Sequence, residues 1–324
     1  MPNPKPIVRK AALPVRIPNF SCFETVDGFG RTVTFYLSDI SGQRRLPIAA
    51  FVQGSGCHSV FRLGGDGRIR GGYQNILQYV SGQRVRVLAV EKPGVRFLDD
   101  PKQPGVAHGC SQTFLEEHTL DRWAEAVNAC LSAARTLANT SRRKLLIIGH
   151  SEGGQIAARV AATNPKVSHV ALLSSTGPTQ LYDFVARAGS QSKKKRTTAN
   201  YSRSLNEVRE IFEAIQSDPD STSKFAWGHP YRRWSSFLSS STIDEILRTR
   251  ARIFMAHGVR DRSVPIAAFD MLVAALIRER RDIVVQRIEG AAHSFSKSRR
   301  ASPRIMTEIF SDILEWFLNE QRAS

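Results

Sequence analysis

The sharpest change of pattern along the chain falls between residues 145 and 162. LLII (145–148) is short, apolar and partly β-branched, the composition of a strand covered on both faces. QIAARVAA, from Gln155 to Ala162, switches to helical spacing and good helix formers. Only GHSEGG separates the two, so the chain must turn from strand to helix within a few residues. Gly149 and Gly153 let the neighbouring backbones approach closely, which leaves Ser151 at the apex with its hydroxyl exposed.

The same alternation of strand and helix patterns extends along most of the chain. Arg31–Leu37 predicts an early antiparallel strand, and Ile48–Gln53 a central strand followed by the loop GSGCHS. A helix is expected over Tyr73–Val80 and a strand over Val85–Val90. The proline- and glycine-rich stretch Lys92–Glu117 reads as a long loop beside the serine turn. Thr119–Ala138 reads as an amphipathic helix with Trp123 toward the core. Further strands are expected over Val167–Ser174, from Ala251 in ARIFMAHG, and over Asp282–Ile288. Such alternation predicts an α/β fold, a mostly parallel central sheet with helices on both faces.

Residues 177–250 interrupt the alternation for longer than a simple connection allows. They carry Tyr182, Phe184, Tyr201, Phe212, Phe225, Trp227, Tyr231, Trp234 and Phe237 among charges and helical segments such as LNEVREIFEAI. A helical cap with an apolar underside accounts for that composition. A packed subdomain with no ligand role is the plainer reading. The expected division is an N-terminal arm at 1–20, a core at 21–176 and 251–324, and the insertion at 177–250.

Charge adds less than its size suggests. Lys and Arg number 46 against 29 Asp and Glu, for a formal charge of +17. The arginines are scattered, and only Lys193–Arg196 forms a tight block, so a basic surface is expected and a nucleic-acid partner is not. The start, MPNPKPIVRKAALPVRIPNF, is basic and proline-broken without an apolar signal core, and no apolar run reaches membrane-spanning length. A cytoplasmic location without membrane association is expected. Cys22, Cys57, Cys110 and Cys130 are too few for a disulfide scaffold and lack metal-site spacing, so reduced thiols are expected. Nothing in the pattern sets an oligomeric state.

Two further loops give the serine turn its chemical meaning. HGVRDRSVP follows the Ala251 strand and puts Asp261 at that strand's carboxyl end. GAAHSF follows the Asp282 strand and bears His293. Three loops at carboxyl ends of parallel strands converge on one crevice. The elbow GHSEGG, the HGVRDRSVP segment and the terminal GAAH together resemble the α/β-hydrolase superfamily, in its serine-esterase and prolyl-oligopeptidase or dienelactone-hydrolase-like branches. The likeness runs over roughly residues 30–320, though the specific motifs occupy only a few dozen of them. It implies an α/β-hydrolase fold with Ser151 as nucleophile, His293 as general base and acid, and Asp261 orienting the imidazole. One departure stands out: the family's His-Gly of the oxyanion loop appears as Gln53-Gly54, followed by Ser55-Gly56.

Each role has a chemical reason. A serine hydroxyl is a weak nucleophile near neutral pH and needs a neutral imidazole to take its proton, and a carboxylate steadies the imidazolium that forms. The oxyanion needs fixed donors, for which the amides of Ser55 and Glu152 are candidates. Asp270, Asp244 and Glu289 are alternative carboxylates, and His257 and His150 alternative bases. The Glu152 side chain reads as a favourable acid at a helix start, or as a partner for a cationic substrate group. Gly54, Gly56, Cys57, His58, Tyr182, Trp227 and Trp234 are candidate substrate contacts, and Glu91–Gly94 a candidate pocket floor. His108, Cys110, Glu116, Glu117 and His118 match no zinc spacing; no metal or other cofactor is expected. The reading favours hydrolysis of a small-molecule carboxylic ester or lactone through an acyl-serine. Peptide cleavage and a catalytically silent binding fold are the alternatives.

Overall fold

The computed structural model describes residues 6–190, 198–297 and 303–319, and the apolar runs become strands of one sheet. The basic block at 193–196 lies outside the described residues. In chain order the strands are β1 (Val8–Lys10), β2 (Phe20–Val26), β3 (Thr32–Ser38), β4 (Leu46–Val52), β5 (Phe61–Leu63), β6 (Ile69–Gly71), β7 (Arg86–Val90), β8 (Thr140–His150), β9 (His169–Leu173), β10 (Phe225–Ala226), β11 (His229–Pro230), β12 (Arg252–Gly258) and β13 (Ile283–Ile288). The helices are α1 (Tyr73–Ser81), α2 (Gln112–Glu117), α3 (Leu120–Ala134), α4 (Glu152–Thr163), α5 (Gln180–Ser190), α6 (Thr198–Ser217), α7 (Tyr231–Leu238), α8 (Thr242–Arg248), α9 (Ile266–Arg278) and α10 (Arg304–Leu318).

Nine strands form the main sheet, in the order β1-β2-β3-β7-β4-β8-β9-β12-β13. From β7 to β13 every neighbouring pair is parallel, whereas β1, β2 and β3 pair antiparallel at one edge. The N-terminal arm is stitched to that edge, with Val8 opposite Thr25. Burial on both faces explains why β7 and β9 are buried at every position. On one face α3, α4 and α9 pack through Trp123, Val127, Ile156, Val160 and Leu272. On the other, α1 and α10 pack through Leu77, Phe310, Ile313 and Phe317.

Most boundaries shift by one or two residues from the sequence pattern, and three differ by more or in kind. β8 starts at Thr140, ahead of LLII, because the polar stretch TSRRK pairs at the sheet's rim, with Thr140 opposite Leu46. The supposed loop 92–117 ends in α2, which Ser111 starts by accepting a hydrogen bond from the Phe114 amide. α3 stops at Ala134, four residues before the expected end.

Between β9 and β12 lie α5, α6, the β10–β11 ribbon, α7 and α8. Phe184 stacks on Trp227 and Trp234 meets both rings edge-on there, with Ile215 and Leu238 buried beside them. α8 instead packs on α4 and α9.

The thiol reading needs correction. Cys57 and Cys110 form a disulfide with sulfurs 2.03 Å apart, while Cys22 and Cys130 are buried free thiols. Fifty-three residues separate the bonded pair, so spacing alone gave no signal. The bridge ties the loop after β4 to the segment before α2. Denatured, unreduced protein should therefore titrate with two free thiols, not four. Reduction should lower stability by about 2–4 kcal/mol in chemical denaturation, as expected for a closed loop of this length.

Candidate active site

The turn after β8 is built by close backbone contact. A Cβ on Gly149 would lie 2.1 Å from the Gly153 carbonyl oxygen, and one on Gly153 would lie 2.2 Å from that of Val52. No side chain fits at either position. Ser151 itself has φ 58° and ψ −126°, a conformation that side-chain-bearing residues rarely adopt. Its amide is held by the Leu173 carbonyl at 2.8 Å, which aligns the turn with β9.

The loops after β12 and β13 meet beside this turn. Arg260 N–H donates to the Ala291 carbonyl at 2.8 Å, locking the two loops together. His293 Nδ1–H donates to Asp261 Oδ2 at 2.7 Å, while Asp261 Oδ1 accepts from the amides of Ser263 and Val264 at 2.7 and 2.9 Å. Burial would raise the Asp261 carboxyl, but the His293 contact, the Val264 amide and His257 together hold it below the usual carboxylate range. With Nδ1 carrying the proton, His293 Nε2 is the basic atom. Ser151 and His293 line one cavity. Among the described residues the Ser151 hydroxyl has no hydrogen-bond partner, so the contact to Nε2 is not closed. Such contacts commonly tighten only with substrate bound.

The rival residues are otherwise engaged. His257 is fully buried, and its Nε2 contacts the Val264 carbonyl at 3.0 Å and Asp261 at 3.4 Å. His150 Nε2–H donates to the His293 carbonyl at 3.0 Å, and burial followed by His293 pushes its pKa down to about 3. Asp270 pairs with Arg287, and Asp244 stands in the first turn of α8. Glu289 has no ion pair or side-chain hydrogen bond among the described residues, and lies in the turn after β13.

A model of the alpha/beta hydrolase family matches residues 54–301. The chain belongs to that family. No curated protein sequence matches it. Among solved structures it is similar to Est1E from Butyrivibrio proteoclasticus, at 15% identity and TM-score 0.56, covering 89% of this chain and 96% of that one. It is also similar to acetyl xylan esterase 1 from Thermoanaerobacterium sp., at 12% identity and TM-score 0.58, covering 95% and 88%. An acylaminoacyl peptidase from Pyrococcus horikoshii matches at 13% identity and TM-score 0.62 over 94% of this chain, but only 42% of the peptidase. These likenesses concern the fold.

In this α/β hydrolase the loop after β4 stands against the serine. A Cβ on Gly54 would come within 3.1 Å of Ser151 Cβ. The Ser55 amide makes no backbone hydrogen bond among the described residues, and Glu152, first in α4, has no helical partner for its own. Ser55 Oγ–H donates to the Gly105 carbonyl at 3.1 Å. Gly56 has φ +88° and lies against Gly105, where a Cβ would come within 2.8 Å. His58, Trp227 and Trp234 line cavities at Ser151. Tyr182 lines neither of the two cavities that meet there, and Cys57 is withdrawn into its disulfide. The cluster of possible metal ligands is dispersed: His108 stacks on Phe225, Cys110 is bridged, and Glu117 pairs with Arg31 and Arg122.

A buried ionic network under the site escaped the sequence reading. The Glu152 side chain is buried and engaged within the protein: its carboxylate pairs with Arg233 through Nη2 and, at 3.1 Å, Nε. Its other oxygen meets His118 Nε2 at 2.8 Å. Arg233 also donates to Gln180 Oε1 at 2.8 Å and lies 3.8 Å over the Trp234 ring. Nearby, the Lys92 ammonium donates to the carbonyls of Gly54 and, at 2.6 Å, of Gly56. Burial opposes ionisation of Glu152, yet Arg233, His118 and Lys92 hold its carboxyl well below the usual range. Burial lowers His118, so it is neutral at pH 7 and donates from Nε2. Glu91, beside Lys92, turns away to Tyr36, Ser59 and Val60, and burial raises it to about 7.

Removing one member strands its partners' charge. Glu152→Gln should destabilise the protein by about 3–5 kcal/mol in urea unfolding at neutral pH. Because the folded pKa is depressed, this stabilisation is fully present above the ordinary glutamate value of about 4.3 and is lost as pH falls toward the folded value. The gap between wild type and variant should therefore narrow in acid. A gap below about 1 kcal/mol at pH 7 would show the network to be dispensable.

Proposed function

We propose that this hydrolase cleaves carboxylic esters through an acyl-serine formed on Ser151. The observation that carries this reading is His293 Nδ1 held at 2.7 Å by Asp261, with Ser151 in its left-handed turn on the wall of the same cavity. His293 Nε2 accepts the hydroxyl proton as Oγ attacks the substrate carbonyl. The Asp261 carboxylate then faces an imidazolium at Nδ1. The amides of Ser55 and Glu152 receive the oxyanion, the latter at the positive end of α4. Collapse expels the alcohol, protonated by His293, and water attacks the acyl-enzyme with His293 again as base.

The segment 177–250 serves as a cap in this reading, with Trp227 and Trp234 selecting the substrate. No helix of the described residues is long and apolar enough to cross a membrane. The Cys57–Cys110 bridge weighs against the cytoplasmic location expected from the apolar pattern, because disulfides persist in oxidising compartments. Amide cleavage is the second reading, favoured by the likeness of nearly the whole chain to part of an acylaminoacyl peptidase.

Rates on p-nitrophenyl esters should exceed those on aminoacyl anilides. Ser151→Ala and His293→Ala should each lower kcat by at least about 10⁴-fold, and Asp261→Asn by about 10⁴-fold through the wrong tautomer. Undiminished turnover in Ser151→Ala would exclude the acyl-serine, and a preference for anilides would reverse the choice between ester and amide.

A further inference from the structure

Lys92 is 1% exposed, and its ammonium donates to two neutral groups, the carbonyls of Gly54 and, at 2.6 Å, of Gly56. Among the described residues no carboxylate pairs with it. Glu91 is engaged by Tyr36, Ser59 and Val60, and Glu152 by Arg233 and His118. Burial, opposed by the charge of Glu152, draws its pKa down to about 8, so the ammonium form predominates at neutral pH. Burying an ammonium away from any carboxylate is costly, and what this one holds is the loop that faces Ser151.

The chain places Lys92 there by a tight turn. Its carbonyl accepts the Val95 amide at 2.9 Å across Pro93 and Gly94. Gly94 has φ +81°, and a Cβ on it would lie 2.3 Å from the Phe114 amide nitrogen, so glycine is required. β7 and β4 are parallel neighbours, with Phe51 opposite Ala89. The Lys92 turn and the Gly54 loop therefore leave the same end of the sheet side by side.

Peptide geometry converts the grip into an orientation. No described peptide bond is cis, and in a trans peptide the carbonyl and the following N–H point in opposite directions. A Gly54 carbonyl turned to Lys92 therefore aims the Ser55 N–H away from it. That amide has no backbone acceptor among the described residues. Lys92 lines neither of the two cavities that meet at Ser151, whereas Ser55 lines both, and a Cβ on Gly54 would lie 3.6 Å from Ser151 Oγ. The same ammonium holds the Gly56 carbonyl on the far side of Ser55. Glycines at 54 and 56 restrain the backbone little by themselves, so the loop needs an outside hold.

We propose that Lys92 is a positioning residue: without touching substrate, its ammonium keeps the Ser55 N–H aimed at the oxyanion. The assignment rests on the acyl-serine reading. An apolar side chain of similar length fills the same space but leaves the Gly54–Ser55 peptide free to rotate. The rotated peptide presents a carbonyl oxygen where the oxyanion needs a donor.

The test compares a p-nitrophenyl ester with its thionoester, in which sulfur, larger and a poorer hydrogen-bond acceptor, replaces the carbonyl oxygen. The wild-type preference for the ester in kcat/KM should fall about tenfold or more in Lys92→Met, with KM for the ester changed by less than about threefold. Lys92→Gln, which keeps an amide donor, should fall between the two, and it carries the same comparison if Lys92→Met does not fold. A ratio cancels any general loss of folded enzyme, and a merely structural role slows both substrates equally. An unchanged ratio in Lys92→Met, or equal losses on both substrates, overturns the proposal while leaving the acyl-serine intact. Absence of ester turnover in the wild type, or undiminished turnover in Ser151→Ala, removes the acyl-serine reading and this proposal with it.

Discussion

The carboxylate of Glu152 sits immediately after the turn serine with its side chain 2% exposed, and everything around it answers that constraint. An ion taken from water costs several kcal/mol unless it is paired and hydrogen-bonded. Arg233 reaches it from α7, and His118 from the end of α2. Lys92 adds its charge from the loop after β7 while gripping the carbonyls of Gly54 and Gly56. One buried charge cluster thereby joins the Ser151 turn, the loop that faces it, and α7. The position of the Ser55 amide relative to Ser151 follows from that grip, because turning the Gly54 and Gly56 carbonyls toward Lys92 fixes the intervening peptides.

Three histidines lie near Asp261 or Ser151, and burial separates their roles. His257 spends its proton on the Val264 carbonyl, and His150 spends its own on the His293 carbonyl. Both are held neutral and away from solvent, with burial the largest influence on each. His293 is the one that is oriented through Nδ1, with a side chain 25% exposed and Nε2 left free of hydrogen bonds among the described residues. Its neighbours act as a fixed frame. His150 in particular carries the His293 backbone, so the residue before the serine helps to position that imidazole as well.

Local periodicity made the sheet legible. Burial on both faces of β4, β7, β9 and β12 leaves apolar runs that only a covered strand explains, and the GHSEGG turn announces itself through glycines that admit no Cβ. The polar start of β8 was hidden because pairing at the sheet's rim does not require apolar side chains. Long-range pairings were hidden for a different reason. Cys57 and Cys110, or Glu152 and Arg233, are 53 and 81 residues apart, and nothing in either neighbourhood distinguishes a buried arginine from the many at the surface of a chain with net charge +17. A glutamate directly after the turn serine, and a lysine amid the apolar and glycine residues around Glu91–Gly94, were the available hints. They needed partners that only the fold supplies.

The most direct measurement is the structure of the protein after reaction with an aryl alkylphosphonate ester. The acyl-serine mechanism predicts phosphorus bonded to Ser151 Oγ, its charged oxygen within about 3 Å of the Ser55 and Glu152 amides, and His293 Nε2 facing the side from which the aryl group departed. Phosphorus on another residue, or an oxygen turned away from both amides, would contradict it.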